Sequence, residues 1–191
     1  LREAERRNAM KLSFTKLKPS SPDFRKIKQL YMRAFPDDER APFLMLVLKA
    51  KKKGVDFWSI SCDGQWAGML YIVNYRDLSY VFYLAVSEEL RGRGIGSAIL
   101  RSAQEIYKDR RLFLAIEELD ENAENYSQRV SRRDFYLRSG FEELRRKLRE
   151  GSVIYDILGV GGDVKASEYK ALMNSYAGSI LSKLFTMEFV D

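Results

Sequence analysis

The sequence predicts an α/β (α+β) fold: a central mixed, mostly antiparallel twisted sheet of about six or seven strands, flanked by helices, with one more helix at the C-terminal end. Three observations carry this prediction. Strand-like runs turn back on themselves between positions 57 and 86, a β-loop-α-β unit follows, and amphipathic stripes at helical spacing precede and follow both. At 191 residues, 46% hydrophobic and 31% charged, the chain has the balance of one globular domain with a core of its own.

The elements follow in chain order. Leu1–Ala9 is set aside as an expression remnant or upstream extension, and the first strand is expected from Lys11 to Leu17. Pro19–Pro22 turns the chain, and Asp23 is placed to cap a helix whose apolar positions are Phe24, Ile27, Leu30, Tyr31, Ala34 and Phe35. Pro36 ends it. A polar link, Asp37-Asp38-Glu39-Arg40, leads to a second helix expected from Pro42 to about Lys53, closed by Gly54.

Phe57–Cys62 and Trp66–Val73 read as strands joined at Asp63-Gly64, a tight hairpin signal, and Ser79–Val86 completes an antiparallel meander. A glycine-rich bend then opens a helix with Ile95, Ala98, Ile99, Ala103 and Ile106 on one stripe. The strand Leu112–Glu117 comes next, apolar on both faces and so expected inside the sheet. A helix from about Ser127 to Ser139 stops at Gly140. Phe141–Leu148 and Val153–Leu158 flank a turn at Glu150-Gly151-Ser152 as a closing hairpin. Residues 10–160 form the main domain. Gly159–Asp163 is read as a loose tether to a tail, 161–191, in which Tyr169, Leu172, Met173, Tyr176, Ile180 and Leu184 describe one amphipathic helix packing on its own body or on a partner.

Missing residues exclude whole chemistries. The chain has no histidine and one cysteine, Cys62, which removes Ser-His-Asp and Cys-His nucleophilic systems, imidazole proton shuttles and His or Cys zinc sites. No metal is expected. Cys62 cannot form an internal disulfide and reads as a small buried hydrophobe, which suits a reducing, cytoplasmic setting. The longest apolar run, Phe43–Leu48, is far too short to span a bilayer, so no membrane partner is expected. The net charge of +6 suits a polyanionic ligand or a plain solvated surface. The basic run Arg145–Arg149 would be split between two faces of a strand and is flanked by Glu142, Glu143 and Glu150, so no nucleic-acid partner is expected.

The bend Arg91-Gly92-Arg93-Gly94-Ile95-Gly96 carries the most chemistry. Glycines where a strand runs into a helix strip away side chains and leave backbone N–H groups facing outward, where the helix dipole also favours an anion. Three readings fit: a tight turn with two solvated arginines, a dinucleotide site with Glu117 as the ribose-binding acid, or a pyrophosphate cradle of another kind. The second fits poorly, because the glycines fall as G-x-G-x-G and lie five residues beyond the strand.

Arg91-x-x-Gly94-x-Gly96 resembles the Q/R-x-x-G-x-G/A signature of the GNAT superfamily of acyl-CoA-dependent N-acetyltransferases. Tyr136-Leu-Arg-Ser-Gly140-Phe141 is similar to that superfamily's Y-x-x-x-G-F, and the element order from Lys11 to Leu158 agrees. The resemblance implies the GNAT-like form of the predicted sheet and an acetyl transfer from acetyl-CoA to a primary amine. A catalytically silent acyl-CoA-binding module is the alternative. It implies that Arg91, Gly92, Arg93, Gly94, Ile95, Gly96 and Ser97 hold the coenzyme A pyrophosphate and that the main chain of Leu84, Ala85 and Val86 pairs with the pantetheine arm, a backbone N–H near Val86 polarising the thioester carbonyl. Asn125, Gln128 and Arg132 would reach the coenzyme.

Tyr136 takes the place of the family's tyrosine, as proton or hydrogen-bond donor to the departing thiolate. For the base, the strand before the bend has no acid. Glu117 is chosen over Glu118, since alternation along a strand admits only one of them to a cleft. Asp37, Asp38 and Glu39 would suit a cationic acceptor, a small molecule or a peptide, and the protein is expected to be a monomer or homodimer.

Overall fold

The computed structural model of the chain describes residues 10–37, 40–150, 153–178 and 187–190. Its strands form one mixed sheet of eight in the order β1-β2-β3-β4-β5-β7-β6-β8. By contacts the chain divides into two compact units, Leu1–Tyr71 with Tyr83–Ser102 and Ile72–Phe82 with Ala103–Asp191.

The first unit begins with β1 (Leu12–Lys16), paired antiparallel with β2 (Val55–Cys62) from Leu12 opposite Cys62 to Lys16 opposite Trp58. Asp63 and Gly64 join β2 to β3 (Gln65–Tyr75) with φ of 51° and 81°, both positive as a type I′ hairpin turn requires. Two helices, α1 (Phe24–Ala34) and α2 (Phe43–Lys49), lie between β1 and β2 in sequence.

Tyr31 is the hub of this unit's core, with ring centroids 5.5 Å from Phe35, 5.7 Å from Phe43 and 5.0 Å from Tyr83. Its hydroxyl donates to the Ala41 carbonyl at 2.8 Å, and the Ala41 N–H donates to the Tyr83 hydroxyl at 3.2 Å, so the α1–α2 link is pinned to β4 (Leu78–Val86). Two expectations are corrected here. Asp23 stands at the N-cap position of α1 but makes no capping bond; its carboxylate accepts from Ser59 Oγ at 3.0 Å instead. The second helix ends at Lys49, because Lys51 and Lys52 donate to the carbonyls of Leu48 and Lys49 and tighten the chain into turns before Gly54 at φ 91°.

In the second unit, β5 (Arg111–Glu117) runs parallel to β4 for three pairs, Leu78–Arg111, Ser79–Leu112 and Tyr80–Phe113, and the ladder does not continue through Val81 and Phe82. On its other side β5 pairs antiparallel with β7 (Val153–Val160), which makes it an interior strand. Between β5 and β7 in sequence come α4 (Tyr126–Arg138) and β6 (Glu142–Glu150); α3 (Ile95–Ile106) precedes β5. The β6–β7 register shifts between Glu143 and Lys147, a bulge centred on Arg145 at φ 51°.

The tail differs from its expectation. α5 spans Ala166–Ala177 and stops at Gly178, with φ 81°, and the chain returns as a strand, β8 (Met187–Val190), beside β6. Ile180 and Leu184 lie outside the described residues. The helix packs on its own unit: the Tyr169 ring is 5.9 Å from Tyr80 and 6.3 Å from Phe113, and Arg111 grips the Glu168 carboxylate with both guanidinium nitrogens at 2.8 and 3.0 Å. Of the stretch read as a tether, Gly159 and Val160 belong to β7, and a Cβ on Gly159 would lie 2.8 Å from Leu144 Cδ1. Among the described residues no helix is long and apolar enough to cross a membrane.

Candidate functional site

The glycine bend lies in the first unit. After β4, a 3-10 turn (Glu88–Leu90) delivers the chain to Arg91, and α3 begins at Ile95. Gly92 and Gly94 have φ of 74° and 76°, a region that costs an L-residue roughly 1–2 kcal/mol, and a Cβ on Gly92 would meet nothing within 4 Å. Arg91 to Gly94 are exposed. The first hydrogen bond of α3 runs from the Ala98 N–H to the Gly94 carbonyl at 3.0 Å, and among the described residues the N–H groups of residues 92–96 donate to no other backbone carbonyl outside the helices. The result is a run of open amides at the dipole-positive end of a 12-residue helix.

Arg91 does a second job. Its Nε donates to the Val86 carbonyl at 3.1 Å, tying the bend to the end of β4. That strand end is held by a glycine which no motif singled out. Gly68 on β3 lies so close to β4 that a Cβ there would be 2.2 Å from the Ala85 carbonyl oxygen and 3.1 Å from Val86 Cα. Only a residue without a side chain allows this approach, and a glycine inside an apolar strand is itself the signal that could have found it. Leu84 and Val86 are half-buried, Ala85 buried.

The second unit holds the other predicted residues. Tyr136 sits in the last turn of α4, and the spacing to Gly140 and Phe141 has a structural cause. Phe141 N–H donates to the Tyr136 carbonyl at 3.2 Å, Gly140 N–H donates to Leu137 at 3.0 Å, and Gly140 takes φ 91°. This is a Schellman ending, and the Phe141 ring closes against the Tyr136 ring at 5.9 Å. The tyrosine is thereby fixed in place while its hydroxyl is left without a hydrogen-bond partner among the described residues. Burial pushes the Tyr136 phenol up to about 12, with the nearby Arg132 guanidinium pulling the other way.

Glu117, at the end of β5, is buried to within 9% and both its carboxylate oxygens are engaged. Arg129 pairs with one at 2.8 Å; Arg132 at 3.1 Å and Asn125 Nδ2 at 3.4 Å reach the other. Arg129 also donates to Asn125 Oδ1 at 2.7 Å and to the Glu118 carbonyl at 2.8 Å. So Glu117, Asn125 and Arg132 come together, around an arginine the sequence reading passed over. Glu118, one residue beyond the end of β5, pairs with Lys147. In the acidic link Asp37 is exposed and paired with Arg40, while Asp38 and Glu39 lie outside the described residues.

Residues 53–143 match the family model described as an acetyltransferase (GNAT) domain. Solved structures share the fold. A GNAT-family acetyltransferase from Bacteroides thetaiotaomicron is 19% identical with a TM-score of 0.68, covering 89% of this chain and 98% of that one. The ribosomal-protein-S18-alanine N-acetyltransferase of Escherichia coli is 17% identical at 0.58, covering 81% and 96%, and a Bacillus subtilis acetyltransferase in complex with CoA is 12% identical at 0.55, covering 82% and 100%. No curated protein matches the chain by sequence.

Proposed function

We propose that this chain, a GNAT-superfamily protein through residues 53–143, transfers an acetyl group from acetyl-CoA to a primary amine. The observation that carries the reading is the bend: open amides, no Cβ at Gly92 or Gly94, and the positive end of α3 together fit a diphosphate. Acetyl-CoA would supply the activated acyl group as a thioester. The amides of residues 92–96, with Arg91, Arg93 and Ser97, hold its diphosphate in this reading, and the β4 end from Leu84 to Val86, set by Gly68, takes the pantetheine arm.

Tyr136 keeps its proton. Moving that proton from a phenol near 12 to a thiolate near 8.5 would run uphill by about 5 kcal/mol, so we assign the side chain as a hydrogen-bond donor rather than a full acid. Glu117 is reassigned as well. Both of its carboxylate oxygens accept from groups on or next to α4, namely Arg129, Arg132 and Asn125, and we read it as the residue that positions the start of α4 against β5.

The test is direct. Acetyl-CoA in large excess should raise the thermal unfolding midpoint, and a panel of amines should draw free CoA thiol from it in at least one case. Absence of any stabilisation would remove the reading. The engagement of Glu117 favours one rival, a silent acyl-CoA-binding module, and Tyr136→Phe separates the two: an enzyme loses turnover and keeps CoA binding, whereas a silent module shows no turnover to lose.

A further inference from the structure

The first unit contains a cleft of about 380 Å³, away from the glycines of the bend, between α1, the start of β3 and the turn after β4. Two buried side-chain atoms among the described residues lack any hydrogen-bond partner, Trp66 Nε1 and Ser87 Oγ, and both residues line this cleft. Ser87 is only 4% exposed. Each orphaned polar atom costs roughly 1–3 kcal/mol, and native proteins carry few of them. Two such residues lining one cleft mark a place where a small side-chain shift lets a bound group supply the partner.

The chemistry of that partner follows from the lining. An indole N–H can only donate and a serine hydroxyl can donate or accept, so one acceptor group would satisfy both. Lys26 and Arg33 stand on the α1 wall; the Lys26 ammonium lies 5.8 Å from the Trp66 ring centroid and 3.8 Å from the Asp23 carboxylate, and Arg33 has no partner among the described residues. The opposite wall carries Glu88 and Glu89, both exposed. A group rich in negative charge, such as a phosphate, would meet two carboxylates there. A single carboxylate with an ammonium beside it satisfies the floor and both walls at once.

We propose that this cleft binds a free α-amino acid by its zwitterionic head group, with the carboxylate toward Trp66 Nε1, Ser87 Oγ, Lys26 and Arg33 and the ammonium toward Glu88 and Glu89. The cleft is large enough for an amino acid with its side chain. The site does not depend on acyl transfer and stands whether or not the chain is an enzyme.

The experiment uses the full chain carrying Trp58→Phe, which leaves Trp66 as its one tryptophan. Each of the twenty proteinogenic amino acids is titrated while indole fluorescence is followed, with tryptophan and tyrosine followed by calorimetry instead, and the tightest is compared with its decarboxylated amine, its deaminated acid and inorganic phosphate. The expected result is saturable binding in the millimolar range or tighter for at least one amino acid, weakened about tenfold by loss of either head-group charge and about tenfold by Arg33→Gln or Ser87→Ala. Arg33 is exposed, so its variant keeps the test sound if Ser87→Ala fails to fold. No response to any amino acid, phosphate binding as tightly as the best of them, or an affinity unmoved by Arg33→Gln would each overturn the proposal.

Discussion

The bend at residues 91–96 and the charged face of α4 around Glu117 are built on opposite principles. The bend works by having almost nothing: no Cβ at two positive-φ positions, and amides that no backbone carbonyl among the described residues takes up outside the helices. The α4 face works by crowding, with two guanidiniums and a carboxamide on one buried carboxylate. Removing a part from the crowded region should therefore damage the fold, while adding a part to the bare region should damage binding and leave the fold alone.

The largest effect is expected at Glu117. Its ion pair with Arg129 is largely withdrawn from solvent, with the two side chains 10% and 16% exposed, and deleting one partner of such a pair costs about 3 kcal/mol, so Glu117→Ala should lower the unfolding midpoint by roughly 6–12 °C in a domain of this size. The milder Glu117→Gln sharpens the point. If it removes the acidic limb of the pH profile of kcat/KM in a folded protein, Glu117 is a base after all, and the contrast drawn here fails.

Tyr136→Phe comes next, with kcat lower by on the order of 30-fold and CoA affinity unchanged in steady-state kinetics and calorimetry. Because the phenol lies near 12, the wild-type rate should show no falling limb from it at or below about pH 10. Gly94→Ala follows. With a Cβ the bend relaxes away from φ 76° in the free protein and pays that strain only on gripping the diphosphate, so CoA binding should weaken about tenfold, read by calorimetry, with little change in the unfolding midpoint of the free protein.

The smallest effect belongs to a control region. Hydrogen bonding from Arg111 holds Glu168 down to about 2 from its ordinary 4.5, so its contribution to stability is complete above 4.5 and is lost as pH falls toward 2. Thermal unfolding followed through that window should lose part of its pH slope in Glu168→Gln.

These contrasts also explain what could be read without coordinates. The bend was legible because positive φ narrows the choice to glycine, and the Tyr136–Phe141 spacing was legible because a Schellman ending demands Gly140 at one position. The hairpin at Asp63-Gly64 and the interior placement of β5 followed from turn chemistry and from apolar residues on both faces. The partner of Glu117 was not legible. With 33 lysines and arginines in the chain, nothing in the sequence picks Arg129, because the choice is made by where α4 meets β5. β8 was missed for a similar reason: a short terminal strand takes its identity from the β6 edge it pairs with rather than from its own four residues.

The lone thiol bears on how this protein can be assayed. Cys62 is buried in β2, and burial pushes its thiol up, with the adjacent Asp63 carboxylate acting in the same direction. A sulfur that is both shielded and short of thiolate reacts slowly with disulfide reagents at neutral pH. Colour developed in a disulfide-exchange assay will therefore count liberated coenzyme against a blank close to zero, without mutating the protein first.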